Sequence, residues 1–472
     1  MALDRLLLMK FGGTSMGSAD RMRVAGEIIA REAKVRPVAV VVSAMSKVTD
    51  TLLETLRHAE GGDRAGVEVN LKKLEDRHIE TARALLTEAS AAAATSEITT
   101  MIGEVDRIAK GVEMLGIRPP RSVDEAVAVG ERLSALLIAA HLNDTGVAAT
   151  AVNAREVIVT DAVFGNATPL LDATRVKAAA RLKPALEAGM VPIVTGFNGA
   201  TADGRPTTLG RGGSDFSASI LAGALDAAEL WIWTDVDGIM SADPRLVKDA
   251  RVLDVITYRE AAELAYNGAK VLHPRTLAPL MERGIPVWSK NSFNVAAPGT
   301  RIVPHIEGAL GAKAVTSMAN VALVSIEPAS AEINGTLIIG RAMAAIAQAN
   351  VEVLTFLSSS YQQNFCFLVR KDELATALTA LESALSLEFA HGYLGAPEVD
   401  EQVGLLAVVG EGMKGQTGLA GRVFTAISRA QVNIIAIAQG ASELTIGIVV
   451  RLEGLELAVQ AVHAECGMGT AR

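Results

Sequence analysis

A mainly parallel α/β sheet flanked by helices, followed by two ferredoxin-like α+β modules, is the architecture that three features of the sequence predict. Short apolar runs at Leu6 to Met9, Val38 to Val42, Val191 to Thr195 and Leu230 to Trp233 are each followed by helix-patterned sequence, the pattern of buried parallel strands joined by crossover helices. Glycine-rich segments follow some of these runs. The last third of the chain repeats itself. With 472 residues, 50% hydrophobic and 21% charged, the chain exceeds one typical domain and can bury substantial cores.

The first strand runs into Lys10-Phe11-Gly12-Gly13-Thr14-Ser15 and then a helix around Ala19 to Ala30. Glycines let backbone N–H groups approach an anion closely, and a helix start adds partial positive charge, so the loop suits a phosphate. Its spacing is neither the dinucleotide fingerprint nor the Walker loop, whose lysine follows the glycines. A tight strand-to-helix turn with a solvated lysine is the alternative. From about Thr51 to Pro119 the pattern becomes long helical segments such as LKKLEDRHIETARALLTEA, read as an insertion or lid edge that Pro119-Pro120 ends.

A second glycine loop, Thr208-Leu209-Gly210-Arg211-Gly212-Gly213-Ser214-Asp215, leads into a small-residue helix from Phe216 to Leu225. Arg211 offers a fork for a carboxylate or phosphate, and Asp215 either caps the helix or organises nearby cations. The strand ending Trp233-Thr234-Asp235-Val236-Asp237-Gly238 precedes Ser241-Ala242-Asp243-Pro244-Arg245. Acidic and small residues at a strand end are either plain turn chemistry or the place where an open sheet binds its ligand. Lys270 supplies another cation, and His273 in HPRT reads as a packed or capping residue.

Composition changes again near Ala296-Ala297-Pro298-Gly299. Beyond it GRAMAAIAQANVEVL, from Gly340, and GRVFTAISRAQVNII, from Gly421, are 81 positions apart (421 − 340), and Arg370 and Arg451 keep that offset. Each copy reads strand, loop, helix, strand, strand, helix, the approximate ferredoxin-like order.

The bulk numbers exclude several classes. A formal net charge of −9 without a Lys/Arg-rich run leaves no footprint for nucleic acid. No stretch approaches the roughly 20 apolar residues that span a bilayer, and the start lacks a signal-peptide core. Two cysteines, Cys366 and Cys466, are too few for a disulfide framework or structural metal site, so a soluble, cytoplasmic protein is expected.

These residues match a known pattern. KFGGTSMGS, VVSAMSKVTD, AVGERLSALL, VPIVTGFNGA, TLGRGGSDFSAS, WTDVDGIMSADPR and YNGAKVLHPRT occur in the order found in aspartate kinases, which the chain resembles over roughly residues 5 to 300. Its tail is similar to their paired ACT domains. The resemblance implies the amino-acid kinase fold over residues 1–300 with a helical insertion at about 51–119, ACT domains at 316–392 and 400–472, and a monofunctional form without a homoserine dehydrogenase portion.

It also implies an activity, the transfer of the γ-phosphate of ATP to the β-carboxylate of L-aspartate. Lys10, Asp215 and Lys270 would be catalytic. Lys10, Gly12, Gly13, Thr234, Asp235, Met240, Arg245 and Lys270 would contact ATP, while Ser43, Thr49, Glu131, Arg211, Gly213 and Ser214 would contact aspartate. Mg2+ would be held mainly by phosphates and water, with no protein ligand. Met240 stands where many relatives have a tyrosine, and loses its hydroxyl. Lysine, threonine or both would act as effectors at the ACT domains, with Gln439, Ser442 and Glu443 as contacts and a homo-oligomer formed through these domains. The first copy departs from the effector pattern across Thr355 to Gln363. Another amino-acid kinase, acting on glutamate or N-acetylglutamate, and an inactive amino-acid sensor are the competing functions.

Overall fold

The computed structural model describes residues 3–269, 272–308, 311–329, 334–359 and 364–469. Two compact units emerge: Met1–Ile239 with Asp254–Tyr258 and Leu272–His305, and Met240–Leu253 with Arg259–Val271 and Ile306–Arg472.

The first unit is built on β1 (Leu7–Phe11), α1 (Ala19–Ala33), β2 (Val38–Val42), α2 (Val48–Glu60), α3 (Arg64–Leu85), α4 (Glu88–Leu115), α5 (Pro120–Val127) and α6 (Val129–Asp144). It continues through β3 (Ala149–Val152), β4 (Val159–Thr160), α7 (Leu171–Glu187), β5 (Val191–Thr195), β6 (Asn198–Thr201), β7 (Pro206–Thr208), α8 (Gly213–Leu225), β8 (Glu229–Thr234) and β9 (Val255–Thr257). After α9 (Tyr258–Tyr266), which apart from Tyr258 belongs to the second unit, come α10 (Pro274–Met281), β10 (Val287–Asn291) and β11 (Thr300–Val303). Eight strands form one sheet in the order β3-β5-β2-β1-β8-β10-β11-β9, parallel except where β10 meets β11. A small sheet, β4-β6-β7, stands beside it.

Every residue of β1, β2 and β5 is buried, which is why these strands read as unbroken apolar runs rather than alternating ones. Each large apolar side chain so buried contributes about 1.5–3 kcal/mol. The Phe11 and Trp233 rings stack at 6.0 Å where β1 and β8 are in register. Phe11 is also paired with Val42 of β2, so the loops after β1, β2 and β8 leave the same edge of the sheet, the ligand-binding edge of open α/β folds.

Local signals set the helix starts. Ser18 accepts the Arg21 N–H at the start of α1, and Asp63 accepts the Gly66 N–H at the start of α3. Pro120 stands in the first turn of α5, where its missing N–H costs nothing. Among the described residues no helix is long and apolar enough to cross a membrane.

The second unit contains β12 (Ala314–Ile326), α11 (Gly335–Gln348), β13 (Thr355–Ser358), β14 (Phe365–Arg370), α12 (Leu374–Ala384) and α13 (Ser386–Ala390). The second copy follows as β15 (Glu398–Val409), α14 (Leu419–Arg429), β16 (Ile434–Gln439), β17 (Thr445–Arg451) and α15 (Leu455–Glu465). Helices α12 and α15 start at Leu374 and Leu455, again 81 positions apart (455 − 374).

The two copies share one antiparallel sheet, β13-β14-β12-β15-β17-β16. Both first strands are long. Ala314 to Met318 of β12 pair with Leu405 to Val409 of β15, while Val321 to Ser325 pair with Glu398 to Val403. Each copy's first strand therefore lies in the fourth-strand place of the other, completing the ferredoxin-like order from the neighbour rather than from its own sequence.

Candidate functional site

Lys10 is the next-to-last residue of β1 and is 8% exposed. Its Nζ lies 2.6 Å from Oδ1 of Asp215 in the first turn of α8. The N-cap of α8 is Gly212, in the left-handed conformation at φ 69°. Of the two sequence readings of Asp215, capping is excluded and the organisation of a cation is what the geometry provides.

The two glycine loops that this ion pair joins also shape one cleft of 760 Å³. Lys10, Gly13, Ser43, Thr49, Glu131, Arg211, Gly213, Ser214 and Asp215 line it, together with Ser46, Lys47, Asp50 and Phe197. Arg211 is exposed at the cleft and has no ion-pair partner among the described residues. Two glycines are dictated by close approach. A Cβ on Gly213 would lie 2.6 Å from a ring carbon of Phe197, and one on Gly13 would lie 3.0 Å from the Ala44 carbonyl oxygen. Gly12 is used differently from the expectation of a free donor, because its N–H is donated to the Trp233 carbonyl at 3.2 Å.

Glu131, in the first turn of α6, is the electrostatic anomaly of the cleft. It is 3% exposed, and its Oε2 has no hydrogen-bond partner. Burial pushes its carboxyl up to about 8, with backbone N–H groups of Ala44 and Glu131 offsetting part of the effect. A buried acid with an unpartnered oxygen gives the cleft a group whose charged form a nearby cation would favour. Lys47 and Phe197 also line the cleft with φ of 66° and 69°, conformations that non-glycine residues adopt at a cost and that concentrate at functional sites.

Other expected residues lie elsewhere. At the end of β8, the Thr234 hydroxyl donates to Asp235 at 3.2 Å. The Ser292 N–H and hydroxyl both donate to the Thr234 carbonyl, and Ser15 and Ser292 hydroxyls are 2.8 Å apart. Met240 and Arg245 belong to the second unit. There Ser241 Oγ lies 2.9 Å from His463 Nε2 of α15, and Gln460 donates to the Leu246 carbonyl at 2.8 Å. Arg245 is held by Asp243 two residues away, at 2.6 Å. Lys270 and residues 360–363 of the first copy's loop lie outside the described residues. Glu443 has φ 53° and accepts the Gly415 N–H at 2.7 Å; Ser442 and Glu443 lie in the turn between β16 and β17, while Gln439 ends β16, paired with Ile446. His273 accepts the Arg275 N–H at the start of α10, as the capping reading expects.

Two residues that sequence reasoning missed support the loops. Asp124 of α5 is 1% exposed and accepts three bonds, from the Thr208 N–H and hydroxyl and the Gly165 N–H, fixing the end of β7 ahead of Arg211. Arg77 of α3 donates to the carbonyls of Ser46 at 2.7 Å and Gly17 at 3.1 Å. Both look like ordinary charged helix positions in sequence, because their partners are distant and largely backbone.

A lysine–aspartate pair thus joins two glycine loops at strand ends of an open α/β sheet, beside a buried acid. Residues 5–291 match the amino acid kinase family, and residues 406–466 match the ACT domain family. The chain is 32% identical to the lysine-sensitive aspartokinase 3 of Escherichia coli (strain K12), over 98% of this chain and 99% of that one. It is 34% identical to the chloroplastic bifunctional aspartokinase/homoserine dehydrogenase 1 of Arabidopsis thaliana over 98% of this chain and 51% of the relative. It thus spans about half the length of the bifunctional plant relatives it matches. Among solved structures, E. coli aspartokinase III in complex with aspartate and ADP (R-state) superimposes with a TM-score of 0.83 at 31% identity, covering 98% of this chain and 99% of that one. The chain belongs to the amino acid kinase family and, within it, to the aspartokinases.

Proposed function

We propose that the chain catalyses transfer of the γ-phosphate of ATP to the β-carboxylate of L-aspartate, yielding 4-phospho-L-aspartate and ADP, the first step toward lysine, threonine and methionine. The observation that carries this reading is the 2.6 Å Lys10–Asp215 pair, which joins both glycine loops in one cleft. The similar E. coli structure holds aspartate and ADP, and every aspartate-side candidate lines the cleft.

In this reading a β-carboxylate oxygen attacks the γ-phosphorus, and the bond from phosphorus to the β–γ bridging oxygen breaks, leaving that electron pair on ADP. The acceptor is already ionised at neutral pH, so no general base is needed. Catalysis rests on positioning and positive charge. Lys10 neutralises charge on the transferring group, held in direction by Asp215. Arg211 takes a carboxylate of aspartate, and the buried Glu131 takes its α-ammonium group. Ser43, Thr49, Gly213 and Ser214 complete the acceptor side, and Thr234, Asp235, Met240, Arg245 and Lys270 the nucleotide side.

The reading includes a magnesium ion carried by the nucleotide, and Asp215 is engaged by Lys10. Mg2+ bound to phosphates and water would supply charge neutralisation.

The domain layout we propose is a catalytic domain over 1–300 with the helical insertion at 51–119, and ACT domains at 316–392 and 400–472, in a cytoplasmic protein. Lysine, threonine or both would bind at the ACT domains, near Gln439, Ser442 and Glu443, with a coupling of about 1–3 kcal/mol. The similar E. coli enzyme is described as lysine-sensitive. Exposed apolar side chains such as Phe356 of β13 and Ile437 of β16 support a homo-oligomer formed through the ACT domains.

Acceptor choice tests the reading. Purified chain is given MgATP with L-aspartate, L-glutamate or N-acetylglutamate, and ADP release is followed. Turnover confined to aspartate is expected, and preference for either other acceptor would refute it.

A further inference from the structure

Helix α3 supplies Arg77, which connects the helical segment to both loops at the cleft's rim. Its guanidinium grips two carbonyls on different loops, Gly17 after β1 and Ser46 after β2. Ser46 closes the circuit, because its N–H and hydroxyl donate to the Gly13 carbonyl at 3.2 Å and 2.8 Å. Among the described residues no carboxylate pairs with Arg77, and burial lowers its pKa from the ordinary guanidinium value.

Holding a partly buried cation without a counter-ion is unfavourable unless charge-assisted bonds offset the desolvation. Two acceptors at a fixed separation suit the planar fork of arginine, whereas the single ammonium of lysine does not reproduce it. We infer that Arg77 is a positioning residue for phosphoryl transfer, setting the spacing between the Gly12–Gly17 and Ser43–Lys47 loops and hence between Lys10 and the acceptor. This role rests on the phosphotransfer proposed above. A simple structural brace would make the same contacts, so the test must separate positioning from stability.

The full chain and its Arg77→Ala and Arg77→Lys variants are compared by steady-state kinetics with MgATP and L-aspartate and by thermal melting, and guanidinium ion is titrated into each. A loop displaced by a fraction of an ångström is expected to lower kcat about tenfold or more in both variants, with KM for either substrate changed less than about threefold. Melting temperatures stay within a few degrees of the parent, and millimolar guanidinium restores part of the kcat of Arg77→Ala without affecting the parent. Variants with kcat within about twofold of an active parent overturn the role of Arg77 alone. So does full activity in Arg77→Lys, or a loss that follows a fallen melting temperature and resists guanidinium. A parent without aspartate-dependent turnover overturns the phosphotransfer reading and this one with it.

Discussion

Replacing Glu131 by glutamine perturbs the cleft at its most strongly shifted group while keeping its shape. In the folded chain burial holds the carboxyl at about 8, against an ordinary value of 4.5. Between those values the native state keeps a proton that the unfolded chain has released. Stability therefore falls as pH rises through this window, by about 1.4 kcal/mol per pH unit, reaching a penalty of order 5 kcal/mol above it. Glutamine does not titrate, so Glu131→Gln should match the parent below the window and become progressively more stable than it between pH 5 and 8. All three tryptophans, Trp231, Trp233 and Trp288, lie in the first unit, so urea unfolding followed by tryptophan fluorescence reports on the right part of the chain. The same group predicts a ligand effect. An ammonium ion arriving beside Glu131 favours the carboxylate, so aspartate binding at pH 7 should release a proton, measured by calorimetry in buffers of different ionisation enthalpy. Equal pH slopes for parent and variant, with no proton release in the parent, would refute both the buried acid and its proposed role.

The remaining predictions concern the other walls of the cleft. Lys10→Ala should lower kcat by at least about a hundredfold with little change in folding, as expected for loss of one preorganised charge; steady-state kinetics at saturating substrates check it. Arg211→Ala should act chiefly on aspartate, raising its KM about tenfold or more while leaving that of ATP nearly unchanged, in line with a lost charge-assisted bond. Gly213→Ala introduces a Cβ 2.6 Å from Phe197 and should cost about 1–3 kcal/mol in urea unfolding through overpacking.

Much of this was legible in the sequence for identifiable reasons. Fully buried strands such as Val38–Val42 leave unbroken apolar runs, and the 81-residue offset keeps its phase from α11 to α15 because both copies build the same elements. Lys10 and Asp215 stand out as loop residues, yet their pairing across 205 positions (215 − 10) emerges only when β1 and α8 are brought together. Arg77 and Asp124 leave no signal, since a guanidinium on carbonyls and a carboxylate on Thr208, 84 positions away, look like ordinary surface charges in a helix. The shared sheet is equally hidden. A repeat reveals that two modules are alike, but not that β12 and β15 exchange places as each other's fourth strand. The continuous motif WTDVDGIMSADPR likewise gives no hint that the chain changes unit after Ile239, where packing of the Met240–Leu253 segment against α15 takes over.

The most direct test of the account is the product itself. Purified chain is incubated with MgATP, L-aspartate and hydroxylamine, and aspartate β-hydroxamate is quantified against ADP. One hydroxamate per ADP, dependent on L-aspartate and abolished in Lys10→Ala, is the predicted result. ADP formation without hydroxamate, or at a rate indifferent to aspartate, would contradict it.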